Sequence, residues 1–260
     1  MVRKPFRRPE EWHDWFVHQA SWTRATRAWL FRQAQLATAS AVLEVGCGTG
    51  AVTWEVAVMS RARIVGLDID PEMLAFARQR LPRLSWVRGD ACALPFADGS
   101  FDIVFCHYLL LWVRDPGRAV AEMARVVRPG GWVIACAEPD YDGRIDHPPE
   151  LARLGVLQRE ALRRQGADPE AGRRLGEWFS AAGLAVNVGV MGGNWIFPAH
   201  PDDGFAAEWR VRRRDLEGVV PTAELRRLEE VDAEALRSGR RVLFVPTFYA
   251  LGRKAEEGEA

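Results

Sequence analysis

The spacing of apolar residues along this chain changes twice. Over residues 9–37, Trp12, Trp15, Phe16, Trp22, Trp29 and Phe31 recur at roughly helical spacing, which predicts one or two helices. After the linker Ala37-Thr38-Ala39-Ser40, short apolar runs alternate with helical stretches. The runs are Val42 to Val45, Arg63 to Asp68, Leu84 to Ala91, Phe101 to His107 and Trp132 to Glu138. Short strands with a helix in each interval predict a parallel, doubly wound sheet. Helices are expected after Gly50, from near Pro71, and over 116–128, where Asp115 stands as N-cap and Pro116 as the first helical residue.

Later the rhythm loosens. Pro148 to Arg164 predicts a helix, and Asp168-Pro169 starts another that Gly183 ends. Leu184 to Met191 reads as a strand. Met191-Gly192-Gly193-Asn194 then opens an insertion with helices near 202–216 and 222–238, the second ended by Gly239. Arg241 to Leu251 alternates as a last strand, and the tail from Ala255 is expected to fray.

Composition narrows the class. At 260 residues, with 35 basic and 35 acidic side chains, the chain can bury a sizeable core and carries no net charge to attract a polyanion. No apolar run is long enough to span a bilayer, and Met1-Val2-Arg3-Lys4-Pro5 lacks a signal-peptide core, so a cytoplasmic location is expected. Cys47, Cys92, Cys106 and Cys136 have no zinc-site spacing and read as small buried packing residues; no metal is expected. The basic cluster Arg210 to Arg214 could grip phosphate, but Glu208, Asp215 and Glu217 beside it favour a solvated helix face.

The candidate chemistry lies where the first strand meets Gly46-Cys47-Gly48-Thr49-Gly50. Glycines at alternate positions strip side chains from a turn that opens a helix, so backbone amides can approach a ligand there. Gly46 to Ala51 also satisfies the G-x-G-x-x-A dinucleotide pattern, and on the loop alone a nicotinamide or flavin enzyme stays open. Asp68 ends the second strand, where a carboxylate can accept from both hydroxyls of a ribose. The third strand likewise ends at an acid, Asp90, whose carboxylate could receive an adenine amino group. Arg128-Pro129-Gly130-Gly131 forms a type II turn before the fifth strand.

As an ordered set over about residues 38–140, these motifs resemble the class I S-adenosylmethionine-dependent methyltransferases. That resemblance implies an α/β fold, a doubly wound, mostly parallel seven-stranded sheet with helices on both faces and an antiparallel last strand. It implies S-adenosylmethionine as cofactor. Glu44, Gly46, Cys47, Gly48 and Gly50 would hold its methionine end, Asp68 with Ile69 its ribose side, and Asp90 with Ala91 the adenine. Cys106 and His107 would lie beside the sulfonium, with His107 and Tyr108 as candidate catalytic residues. The whole chain reads as one domain: a helical cap at 1–37, a cofactor-binding core at 38–140, and a substrate side at 141–260 whose insertion spans about 191–240. Residues 9–31 and 192–216 would form lids over the carboxyl edge of the sheet.

Each residue also has a plainer reading. Glu44 could only brace the loop, Asp90 could be a loop acid without a ligand, and His107 could pack on the cofactor or act as a general base. Asp70 is better placed than Asp68 to cap the helix at Pro71. The expected reaction is in-line methyl transfer to a small-molecule acceptor. The alternatives are an RNA or protein methyltransferase, which neutral charge and the absence of an Asn-Pro-Pro-Tyr-type motif disfavour, and a protein that binds S-adenosylmethionine without transferring anything. Oligomeric state is not legible.

Overall fold

Helix α1 (Pro9–Gln33) is a single 25-residue helix, since no breaker interrupts it. The computed structural model describes residues 8–193, 201–256 and 258. A buried stripe of Ala20, Thr23, Arg27, Leu30 and Phe31 turns inward along α1. Strand β1 (Ala41–Val45) follows, then α2 (Ala51–Met59), β2 (Arg63–Asp68), α3 (Pro71–Arg80), β3 (Ser85–Arg88) and β4 (Phe101–Cys106). Next come α4 (Pro116–Val126), β5 (Val127–Pro139), β6 (Ile145–His147), α5 (Ala152–Arg164), α6 (Leu175–Ala181) and β7 (Leu184–Val190). The chain ends with α7 (Asp203–Asp215), α8 (Thr222–Arg237), β8 (Val242–Phe244) and β9 (Thr247–Lys254).

Seven strands form one sheet in the order β3-β2-β1-β4-β5-β9-β7. β9 runs antiparallel to both its neighbours, and the other pairings are parallel. Strand order reverses between β1 and β4, which opens a crevice beyond their carboxyl ends, the place where ligands of such sheets bind. Alternation sends Leu43, Val45, Val104 and Cys106 toward α4 and α6. Val42, Ile103, Phe105 and Cys136 pack with Phe31, Val52 and Val56 of α1 and α2 on the other face.

Asp70 and Asp115 cap α3 and α4, accepting from the Glu72 and Arg118 amides at 2.9 Å each. Gly130 takes φ +72° at the third position of the Arg128 turn, as type II requires, although the turn lies within the bounds of β5.

Three expectations need correction. The strand expected over 241–251 is two: Pro246, which has no amide to donate, interrupts it, and β8 pairs instead with β6, a strand the sequence did not signal. The Arg210 cluster is not uniformly solvated. Arg212 is buried and donates to Asp232 (3.4 Å) and Glu208 (2.7 Å), while Arg213 pairs with Glu229. Cys92 is half-buried, unlike the other three cysteines.

Helices α5, α7 and α8 share a separate apolar cluster that includes Phe205 and Trp209. The Trp209 indole donates to the buried Asp232 at 2.8 Å. These two aromatics therefore serve packing. Trp195 and Phe197 lie outside the described residues.

Candidate active site

The crevice floor is built from the ends of β1, β2 and β4. Val45 pairs with Leu67 and Glu44 with Phe105, so the glycine loop, Asp68 and the segment after Cys106 converge. Gly46, Gly48 and Gly50 all adopt positive φ (+74°, +51° and +78°), where a side chain would be strained. The loop is anchored by the Gly46 and Cys47 amides donating to Leu67 O at 2.8 and 3.0 Å. A Cβ built on Gly48 would stand 2.9 Å from Phe16 of α1, and one on Gly46 would stand 2.6 Å from Leu109. Side chains on both sides thus press against bare backbone.

Glu44 is 2 % exposed and accepts from the Thr53 hydroxyl of α2. Its other oxygen makes no hydrogen bond among the described residues. Burial pushes this carboxyl up to about 8, against the Thr53 bond and the positive field of Arg27. Among the described residues no loop amide donates to Glu44; the Gly48 amide donates to Asp68 Oδ2 at 2.7 Å instead. Asp68 Oδ1 accepts from the Asp70 amide at 2.9 Å. Desolvation raises Asp68, and the Asp70 and Gly48 amides oppose it. Each of its oxygens keeps a further lone pair for a ligand.

Farther along the edge, Ile69 projects into solvent at 64 % exposure. Asp90 is exposed and accepts from the Cys92 amide at 2.8 Å, with Ala91 half-buried beside it. Cys106 is fully buried, and burial drives its thiol well above the usual range, so it is inert packing beside the crevice.

Past β4, Tyr108 holds φ +52°, a costly conformation for a bulky side chain. The surroundings enforce it. The Tyr108 amide donates to Ala137 O at 2.9 Å. The fully buried Glu138 accepts from the amides of Leu109 (2.9 Å), Leu110 (2.9 Å) and Leu111 (3.2 Å). Burial lifts Glu138 to about 7, against the pull of those three amides. The His107 and Tyr108 rings meet edge-on with centroids 4.6 Å apart.

Helix α1 closes over this floor. His13 Nδ1 lies 2.9 Å from Thr49 Oγ1, and His107 Nε2 lies 2.9 Å from Thr23 Oγ1. Arg27, 1 % exposed, donates to Ala20 O at 2.7 Å, to Thr23 and to Glu55, yet its Nε is buried without a partner among the described residues. Arg27, Thr23, Thr53 and Glu138 were missed by sequence reasoning. The signals were there: Arg27 interrupts the buried stripe of α1, and Glu138 ends an apolar strand just as Glu44 does.

The methyltransferase-domain profile matches residues 43–135. An uncharacterised methyltransferase of Schizosaccharomyces pombe is 30 % identical over 215 residues, covering 77 % of this chain and 74 % of that protein. The chain belongs to the S-adenosylmethionine-dependent methyltransferases. A demethylmenaquinone methyltransferase of Tropheryma whipplei is 36 % identical over 206 residues, covering 74 % of this chain and 82 % of that one. A solved structure of a putative methyltransferase from Bacillus halodurans shares the fold, with TM-score 0.62 and 20 % identity over 88 % of this chain and 98 % of that one. S-adenosylmethionine is accordingly the cofactor of this methyltransferase, and the dinucleotide reading of its loop falls away. Among the described residues, no helix is long and apolar enough to cross a membrane, and no cluster of side chains suits a metal ion.

Proposed function

We propose that this methyltransferase acts on a small-molecule acceptor, in a single domain whose α1 serves as the cap. The carrying observation is α1 itself. It lies across the glycine loop at Phe16 and His13 and reaches His107 through Thr23, and such enclosure suits an acceptor that fits inside rather than one that docks outside. The Tropheryma whipplei relative, whose name gives demethylmenaquinone as its acceptor, supports the same class.

The residues present fit the cofactor. Among the described residues one oxygen of the buried Glu44 carboxyl and the buried Nε of Arg27 have no partner; the first suits the cofactor's ammonium and the second its carboxylate. Gly46, Cys47, Gly48 and Gly50 leave backbone bare along its methionine end. Asp68 has lone pairs to accept from the ribose hydroxyls, Ile69 offers an exposed apolar face, and Asp90 with Ala91 stands where the adenine would end. His107 and Tyr108 line the acceptor side, with Cys106 packed in the core beneath them. S-adenosylmethionine, when bound, supplies a sulfonium methyl that passes in line to the acceptor, leaving S-adenosylhomocysteine. The protein's share is alignment and exclusion of water, and orientation alone can supply effective molarities of roughly 10⁵ M.

The purified protein should release S-adenosylhomocysteine with members of a small-molecule pool, and not with RNA or protein. Release confined to RNA or protein would overturn the small-acceptor reading. Tight cofactor binding with no release from any pool would leave a binding protein.

A further inference from the structure

One ring nitrogen of His107 is fully engaged and the other is not. Nε2 lies 2.9 Å from Thr23 Oγ1 and 3.4 Å from Arg27 Nη1. A guanidinium has five donors and no acceptor, so Arg27 cannot receive a proton from the ring. Arg27 Nη1 donates to Thr23 Oγ1 and, at 2.7 Å, to Ala20 O. Ala20 O stands 3.4 Å from the Thr23 hydroxyl, a poor target beside the ring nitrogen at 2.9 Å. Thr23 therefore takes a hydrogen from Arg27 and passes its own to His107. A hydrogen on Nε2 would instead face the Arg27 N–H at 3.4 Å and leave the Thr23 hydroxyl only the long bond to Ala20 O.

We infer that His107 is locked as the neutral tautomer with hydrogen on Nδ1, and that it meets the acceptor as a hydrogen-bond donor rather than as a general base. Nδ1 makes no hydrogen bond among the described residues, and the ring is half-buried, so the donor is available. The charged group facing the ring from α1 is Arg27, backed by Glu55 of α2, and Tyr108 stands edge-on from the next residue. Burial first and the Arg27 charge second hold His107 well below its ordinary titration range, consistent with a ring that stays neutral.

This assignment rests on the small-molecule reading and sharpens it. With the basic lone pair of His107 committed to Thr23, the acceptor is one that needs no base here: an oxyanion such as a carboxylate, phenolate or enolate. Its electron pair forms the new bond to the methyl carbon, and the pair of the broken S–CH3 bond stays on sulfur. The two opposite charges cancel and no proton moves. Nδ1–H orients the oxyanion. Arg27 and Thr23 are positioning residues.

Two-bond ¹H–¹⁵N correlation on ¹⁵N-histidine-labelled protein, with the His107 signals assigned by their loss in a variant, reads the tautomer directly. His107 should show hydrogen on Nδ1 and no titration between about pH 5 and about pH 8. Thr23→Val and Arg27→Met should each mix the tautomers. In turnover, His107→Asn places an amide N–H where Nδ1 stands and should retain activity within about tenfold. His107→Gln and His107→Ala should lose on the order of a hundredfold, as removal of one oxyanion donor does. Calorimetry with S-adenosylhomocysteine should give similar affinities for all three. Hydrogen on Nε2, an imidazolium near neutral pH, or Asn no better than Ala would each overturn the assignment. The tautomer is measured without any acceptor, so failure of the small-molecule reading is seen separately, as absence of product.

Discussion

Two buried acids at the carboxyl edge of one sheet, Glu44 in β1 and Glu138 in β5, are used in opposite ways. Both are almost fully inaccessible, and burial raises both, to about 8 and about 7. Glu138 spends its two oxygens on three backbone amides of the segment that presents His107 and Tyr108. Glu44 receives one hydroxyl, and its other oxygen has no hydrogen-bond partner among the described residues. The first is complete within the protein and shapes it. The second remains electrostatically incomplete until a cation arrives. Burial alone does not separate a structural acid from a binding one; the count of satisfied lone pairs does.

Exchanging the two roles by mutation tests this most severely. Glu44→Gln should weaken S-adenosylhomocysteine on the order of a hundredfold or more, because an isosteric amide cannot neutralise an ammonium, whose charged bonds are worth roughly 1.5–3 kcal/mol each. Its cofactor-free melting temperature should hold or rise. Glu138→Ala should do the reverse: three amides lose their acceptor, and the fold should lose about 3 kcal/mol or more while cofactor affinity changes less. Calorimetry paired with thermal melts measures both; equal behaviour of the two variants would break the contrast.

Asp68 falls between them. Asp68→Ala should also cost on the order of a hundredfold in affinity through two lost ribose bonds. It should lower the cofactor-free melt as well, since the Gly48 and Asp70 amides are left without their acceptor. An unchanged melt would mean that those amides find water readily.

A smaller effect concerns pH. Both glutamates hold protons more tightly folded than unfolded. Their contribution to stability is therefore greatest below the ordinary value of 4.5, and is lost as pH rises through about 7 for Glu138 and about 8 for Glu44. Cofactor binding favours ionised Glu44, so affinity should rise with pH toward about 8. Glu44→Gln should flatten that rise in calorimetric titrations, and a rise that persists in the variant would place the titrating group elsewhere.

The contrast extends to α1. Its first half touches the glycine loop through His13 and Phe16, whereas Leu30 and Phe31 belong to the core, with the Phe31 ring 5.1 Å from Phe105. Deleting residues 1–31 would therefore unfold the sheet face. Removing residues 1–19 is the cleaner test, and should cut turnover at least tenfold with a smaller change in the melt.

Much of the sheet could be read from local pattern. The runs around Leu43, Val65, Val87 and Val104 pointed to parallel strands, and Asp70, Asp115, Gly130 and Gly183 to caps and turns, because each such signal acts within a few residues. The split at Pro246 and the β6–β8 pair were not legible, since pairing across about a hundred residues leaves no local trace. Arg212 looked like a solvated charge because its partner Asp232 lies on another helix.

For the site, the sequence by itself determined which residues carry cofactor chemistry: an acid in an apolar strand, glycines at alternate positions, and acids at successive strand ends. Those features depend on short spacing and on the cost of burying an unpaired charge. Only the tertiary structure decided which lone pairs are spent. It gave the Gly48 amide to Asp68 rather than to Glu44, set Glu138 under the His107 segment, and brought Thr23 and Arg27 across about eighty residues to His107. The hydrogen-bond state of a side chain depends on neighbours that chain order does not name, and with it depends whether a histidine takes a proton or offers one.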